Sequence, residues 1–175
     1  MSLSQHPVIE HIPSLRRYAR ALTGGSVDDA DDLVQDTLER AYAKWHLWRA
    51  GSELRPWLFS IMHNIFINQV TQLRQRVPHT ALDAVPEIAT RAIQSERLEV
   101  LDIAAALASL PIELRTVLLL VALEDFSYAQ SAKVLGIPVG TVMSRLARAR
   151  QRLRECLDGT RQPIHRTHLN VVKLK

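Results

Sequence analysis

The sequence predicts an all-α protein: two small helical domains joined by a flexible linker, the second domain carrying a helix-turn-helix. Three observations predict this. Apolar residues recur at spacings of three and four throughout the long segments, and no segment alternates with the period of a strand. From Gln75 to Thr90 the period is lost around Pro78 and Pro86. Beyond it, a short apolar-faced segment, a glycine and an arginine-rich segment follow in the order of a helix-turn-helix. A chain of 175 residues with 47% hydrophobic residues is rich enough to fold, and long enough for two small domains.

Taken in order, a first helix is predicted from Pro7 to Leu22, facing inward through Val8, Ile12, Leu15, Tyr18, Ala19 and Leu22, and stopped by Gly24-Gly25. A second begins near Val27, where aspartates favour the positive end of the helix dipole, and runs to about Trp48. Its inward set is Leu33, Val34, Leu38, Ala41, Tyr42 and Trp45. Arg49–Ser52 reads as a loop. A third helix is predicted over Glu53–Arg74, with Pro56 in its first turn and Leu54, Trp57, Leu58, Ile61, Ile65 and Val70 inward. Trp57 and Phe59 have stacking chemistry, but the period of Trp57 assigns it to the core. Helices resume over Ile93–Ser109 and Ile112–Glu124, parted by Pro111. The predicted boundaries are 1–75 and 93–158 for the domains, 76–92 for the linker and 159–175 for a tail.

In the helix-turn-helix, Ser127 is the expected N-cap and Gly136 the stop. Tyr128, Ala132 and Leu135 give the first helix its apolar face. Pro138 suits the first turn of the second helix. Val142, Leu146, Ala149 and Leu153 then fall on one face, and Ser144, Arg145, Arg148 and Arg152 on another, flanked by Arg150 and Arg154. Glu155 is the only acidic residue from Gly136 to Glu155, so ion pairing within the helix does not account for five arginines. In such a motif the start of the second helix enters the major groove. That makes Val139, Gly140, Thr141, Met143, Ser144, Ala147 and Arg148 candidates for base edges, and later arginines candidates for phosphates.

Charge divides the chain. The net charge is +4, yet Asp28, Asp29, Asp31, Asp32, Asp36 and Glu39 crowd one early helix. Two sites of opposite sign point to two partners. Cys156 is the only cysteine, which excludes an internal disulfide and a cysteine-rich zinc site and fits a cytoplasmic chain. Met1–Pro7 lacks a signal pattern. The longest oily run, LRTVLLLVALEDF, contains Arg115 and Glu124, so no membrane insertion is expected. His6, His11, His63, His165 and His168 are the only hints of a metal, and no carboxylate or cysteine completes a site. No catalytic site, metal or cofactor is expected.

Two stretches together carry a family resemblance. Asp28–Val70 contains DLVQDT, and Leu107–Glu155 contains GIPVGTVMSRLARAR. In this order and separation they closely resemble a bacterial RNA polymerase sigma factor of the extracytoplasmic-function (ECF, group 4, sigma-70 family) type. The resemblance implies a sigma-2 domain that binds the polymerase β′ clamp helices and the −10 element, and a sigma-4 domain that binds the β flap and the −35 element. It implies core-polymerase contacts at Asp31, Asp32, Leu33, Val34, Gln35, Asp36 and Thr37. The loop Trp48–Ser52 matches the one that captures an unstacked −10 base, so Trp48, Arg49, Ser52, Asn64, Asn68 and Arg74 are implied there. For −35 DNA it implies Pro138, Thr141, Met143, Ser144, Arg145, Ala147, Arg148 and Arg152. An anti-sigma factor is the expected regulatory partner.

The sequence departs from the family pattern at three places. Met143 stands where Lys or Arg is usual, replacing a guanine-seeking cation with a group suited to a thymine methyl. Ser131 stands where an apolar residue is common, and is expected to be partly exposed or bonded back to its own helix. The leading helix found in many relatives is expected to be reduced. The rival reading, a helix-turn-helix regulator acting without polymerase, leaves DLVQDT and Trp48–Ser52 without a role.

Overall fold

The computed structural model describes residues 7–48, 53–76 and 103–161, and it is helical throughout, with no strand among them. A 3₁₀ turn at Ile9–His11 leads into α1 (Ile12–Leu22). Then come α2 (Val27–Ala43), a 3₁₀ turn at Trp45–Leu47, and α3 (Leu54–Arg76). The C-terminal half holds α4 (103–109), α5 (Ile112–Ala122), α6 (Tyr128–Leu135) and α7 (Val139–Arg161). No helix of the described residues is long and apolar enough to cross a membrane. The predicted linker (76–92), all of the predicted helix before residue 103 and the tail beyond 161 lie outside the described residues, apart from the backbone of Arg76. So do Arg49, Ser52, His6, His165 and His168.

Local chemistry explains the first boundaries. Gly24 and Gly25 both take positive φ, 72° and 95°, after α1. Ser26 then caps α2, its Oγ accepting from Asp29 N–H at 3.3 Å. α1 and α2 bury Leu15, Tyr18, Ala19, Leu22, Ala30, Leu33, Val34 and Ala41.

Four expectations are corrected here. Among the described residues before Ile12 there is a 3₁₀ turn at Ile9–His11, and only Val8 is buried, so the first helix starts later than Pro7. α2 stops at Ala43, well short of Trp48. Tyr42, placed inward by period, is 80% exposed, because Ala41 already holds the inward position beside it. Phe59 is wholly buried and offers no ring to a ligand. α3 in fact buries Leu58, Phe59, Ile61, Met62, Ile65 and Phe66, a set too broad for one face. It packs on α2 and also on α6.

The two halves therefore touch. Leu119, Leu120, Phe126 and Val134 belong to the same core as Leu15, Leu33 and Phe59. A second core joins Leu114, Val117, Leu118 and Ala132 to Val142, Leu146 and Ala149. Asp125 takes φ 54°, a left-handed conformation that Asp tolerates. The turn it makes carries Glu124 and Phe126 into the N-terminal half. Arg115 bonds the carbonyls of Leu22 (3.2 Å), Leu110 (3.2 Å) and Ala108, tying the last turns of α1 and α4 together.

Ser131 corrects both expectations made for it. It is fully buried in α6, and its hydroxyl makes no hydrogen bond among the described residues. A buried unpaired hydroxyl is destabilising by about 1–3 kcal/mol. Ser131→Ala is therefore expected to leave the thermal midpoint unchanged or raise it, by up to about 1 kcal/mol at the midpoint, in a calorimetric melt. A loss of stability would count against this account.

Candidate nucleic-acid interface

α6 and α7 are fixed relative to each other by their caps. Ser127 and Gln130 form a reciprocal capping box: Gln130 N–H donates to Ser127 Oγ at 3.1 Å, and Ser127 N–H to Gln130 Oε1 at 3.0 Å. Gly136 ends α6 in the left-handed region, φ 63°, and Ile137 N–H closes on Ala132 O at 3.1 Å. Pro138 lies just outside α7, one position earlier than expected. Its carbonyl accepts from Thr141 and Val142 N–H at 2.9 and 3.1 Å. Tyr128 is mostly on the surface, and Ser131, Ala132 and Val134 form the buried face of α6.

α7 then divides cleanly. Val142, Leu146 and Ala149 are buried against α5 and α6, with Leu153 half-buried below them. Val139, Gly140, Met143, Ser144, Ala147, Arg148, Arg150, Arg152 and Arg154 are exposed, and Thr141 and Arg145 are half-buried. Val139 and Met143, one turn apart, are 43% and 52% exposed apolar side chains on an otherwise basic face. Ser144 Oγ donates to Thr141 O at 3.1 Å. None of the arginines from Arg145 to Arg154 is ion-paired among the described residues, and Glu155 is engaged by Gln151 Nε2 at 3.0 Å. Five cations without counter-ions along one helix are an electrostatic site for phosphate.

The −10 candidates sit on the other half. Asn64 and Asn68 are exposed one turn apart on α3. Trp48 is half-buried, its ring 5.0 Å from Trp45, which in turn meets Trp57 edge-on at 6.1 Å. The side chain of Arg74 lies outside the described residues. Sequence reasoning missed Tyr42 and Leu47, which are 80% and 61% exposed before the loop. The signal that could have found Tyr42 is its place directly after Ala41, off the inward stripe.

The acidic candidates also sort themselves. Asp31, Asp32, Gln35 and Asp36 are exposed on α2. Asp31 pairs with Arg16 at 2.8 Å, and Asp36 accepts from Gln69 at 3.2 Å. Leu33, Val34 and Thr37 are corrected: all three are buried, and Thr37 Oγ1 donates to Leu33 O at 2.7 Å. They shape the helix from within and have no surface to offer a partner. Asp29 and Asp32 rim an open groove of about 430 Å³ between α2 and α3, whose apolar lining includes Phe66, Val70 and Leu73.

His63 on α3 lies within reach of the charge of Arg145 on α7. Burial, reinforced by the charge of Arg145 on α7, pushes its pKa down to about 4. The sign follows from linkage. The unfolded imidazole, near 6.5, takes up a proton before the folded one does, so stability is retained above that pH and falls between about 6.5 and 4. His63→Gln is expected to flatten this part of the pH–stability curve by roughly 2–3 kcal/mol, measured as urea midpoints from pH 7 to 4. An unchanged slope would show that His63 is not the group responsible.

Residues 8–63 match the family model described as the Sigma2 domain of PhyR, and residues 101–153 match Sigma-70, region 4. The ECF RNA polymerase sigma factor EcfG of Rhodopseudomonas palustris is 38% identical over 146 residues, 83% of this chain and 80% of the relative. The ECF RNA polymerase sigma factor SigL of Mycobacterium tuberculosis is 40% identical over 154 residues, 85% of each chain. Among solved structures, the sigma factor RpoE of Bartonella quintana, in complex with the anti-sigma factor NepR, is 35% identical with a TM-score of 0.75. That match covers 86% of this chain and 94% of the other.

Proposed function

The chain belongs to the ECF RNA polymerase sigma factors, the subunits that bind core polymerase and direct promoter-specific initiation, and we propose how its surfaces divide that work. The domain at 1–75 docks on polymerase and handles the −10 element, and the domain at 93–158 holds the −35 duplex and the β flap. The observation that carries the reading is the unpaired basic face of α7 on one half, set against the exposed acidic face of α2 on the other. A regulator working without polymerase has no use for the second face. The same reading puts the chain at work in the cytoplasm, with an anti-sigma factor as its restraint.

Polymerase docking uses Asp31, Asp32, Gln35 and Asp36 and the groove beside them, where an acidic rim over an apolar floor fits a basic amphipathic helix. Extruding a −10 base costs a few kcal/mol. Stacking on an aromatic ring returns about 1–3 kcal/mol per base. Trp48 and Tyr42 supply rings, Asn64 and Asn68 face base edges, and Arg49, Ser52 and Arg74 complete the site. On the −35 side, Thr141, Met143, Ser144 and Ala147 face bases. Arg145, Arg148 and Arg152 meet phosphates, and Pro138 sets the entry of α7.

Two outcomes follow. Asp36→Arg is expected to weaken holoenzyme assembly at least tenfold in a fluorescence-polarisation titration with core polymerase, with unchanged helicity. Normal assembly would move the docking surface elsewhere. Met143 and Val139 are expected to pack on thymine methyls. Replacing −35 thymines by uracil, which lacks only that methyl, should then weaken wild-type holoenzyme binding by about 0.5–1 kcal/mol and weaken Met143→Ala by less. If a scrambled −35 element abolishes binding while uracil has no effect, the domain assignment survives and the methyl contact does not.

A further inference from the structure

One surface of the N-terminal half combines an acidic rim with an apolar floor. Asp29 and Asp32 edge the groove of about 430 Å³ between α2 and α3, and neither is in an ion pair among the described residues. Phe66, Val70 and Leu73 line it, and Leu73 is 61% exposed. An apolar floor open to water beside unpaired carboxylates suits a chain that is both aliphatic and basic.

The protein itself carries such a chain. Residues 163–175 read PIHRTHLNVVKLK, with five aliphatic side chains, three cations and no acid. Pro163 lacks the N–H that would continue α7, which ends at Arg161. The basic face of α7 repels a segment of this charge, and phosphate alone would leave its aliphatic side chains unused. The last turns of α7 are also tied toward the groove. Cys156 Sγ lies 3.6 Å from Ser109 Oγ. Arg115 binds the carbonyls on either side of Ser109, those of Ala108 and Leu110, and at 3.2 Å that of Leu22. Thr23, next in the chain, lines the groove. The 14 residues 162–175 could reach about 45 Å if extended, enough to follow this path and lie along the groove.

We propose that residues 162–175 fold back into the groove between α2 and α3 in the free protein, as a guard that an incoming polymerase must displace. The aliphatic side chains cover Phe66, Val70 and Leu73, and the cations meet Asp29 and Asp32. The fold-back stands on these surfaces alone; its consequence for initiation rests on the reading given above, in which polymerase uses this groove. A tethered segment has an effective concentration of about 1 mM. A contact with a Kd of about 0.1–0.5 mM therefore fills the groove in about two thirds or more of the molecules. Apparent polymerase affinity then falls about three- to tenfold, in proportion to the open fraction.

The test uses the full chain in a Cys156→Ser background, with a nitroxide at Asn170→Cys. Paramagnetic broadening of the Val70 and Leu73 methyl signals is expected by nuclear magnetic resonance. It is expected to fade in Asp32→Lys, and in the triple variant Arg166→Glu, Lys173→Glu, Lys175→Glu. Without the label, that triple variant is expected to bind core polymerase, in the absence of DNA, about three- to tenfold more tightly at unchanged helicity. No broadening in the groove, or broadening concentrated on α7, would overturn the proposal and leave the promoter and polymerase assignments standing. Broadening that appears only between a nitroxide-bearing chain and a separate isotope-labelled one would also sink it, since a second copy's segment would then be the occupant. Groove broadening with unchanged polymerase affinity would refute the guard's role and, with it, the use of this groove by polymerase.

Discussion

The fold turns on a single buried carboxylate. Glu124 contributes one negative charge to a site built by two guanidiniums from different helices, and it is the only ionised side chain among the fully buried ones of the described residues. Burying a carboxylate without partners is far too costly to persist. With partners, the net gain is modest, but removing one partner typically costs 3–5 kcal/mol. Arg17 is half-exposed, so its share is screened. Glu124 thus contributes specificity of docking: it fixes which surfaces of the two halves meet. The apolar contacts of Leu119, Leu120, Phe126 and Val134 supply the bulk attraction that the ion cluster aims.

That docking accounts for the character of α3. A helix on the edge of a three-helix unit needs one apolar stripe. α3 has two, because α2 covers one side and α6 the other. Phe59 serves the second interface, its ring tilted against Tyr18 and edge-on to Phe126. The same packing leaves Asn64 and Asn68 outside it. It also leaves the basic face of α7 open, since α7 buries only the stripe that rests on α5 and α6. The docked form therefore hides little of either candidate nucleic-acid surface.

Charge is arranged on the same plan. The acidic face of α2 and the arginines of α7 are on different halves, and each stays exposed in the docked form. Faces of opposite sign attract partners of opposite sign, so the two halves are suited to different partners. Asp31 and Asp36 are partly engaged by Arg16 and Gln69, at the surface, where such contacts are weak and readily exchanged for a partner's.

The sequence by itself determined whatever depends on neighbours within a few residues. The Ser127 cap, the Gly136 stop, the inward face of α7 and its unpaired arginines were all legible, because helical period and capping are local physics. The motif pair in DLVQDT and GIPVGTV was legible through family resemblance. Only the tertiary structure decided the rest. Glu124 and Arg17 are 107 residues apart, and no periodicity links them. Tyr42 was misplaced inward beside Ala41 because a helix's period has a margin of about one residue, and packing buried only Ala41 of the two. Thr37 and Ser131 read as polar and are buried, one satisfied by its own helix and one not. Phe59 read as a free ring and is core, because its partner Phe126 arrives from the other half of the chain. Long-range burial is a property of pairs of surfaces, and a pattern read along one strand of sequence registers only one member of each pair.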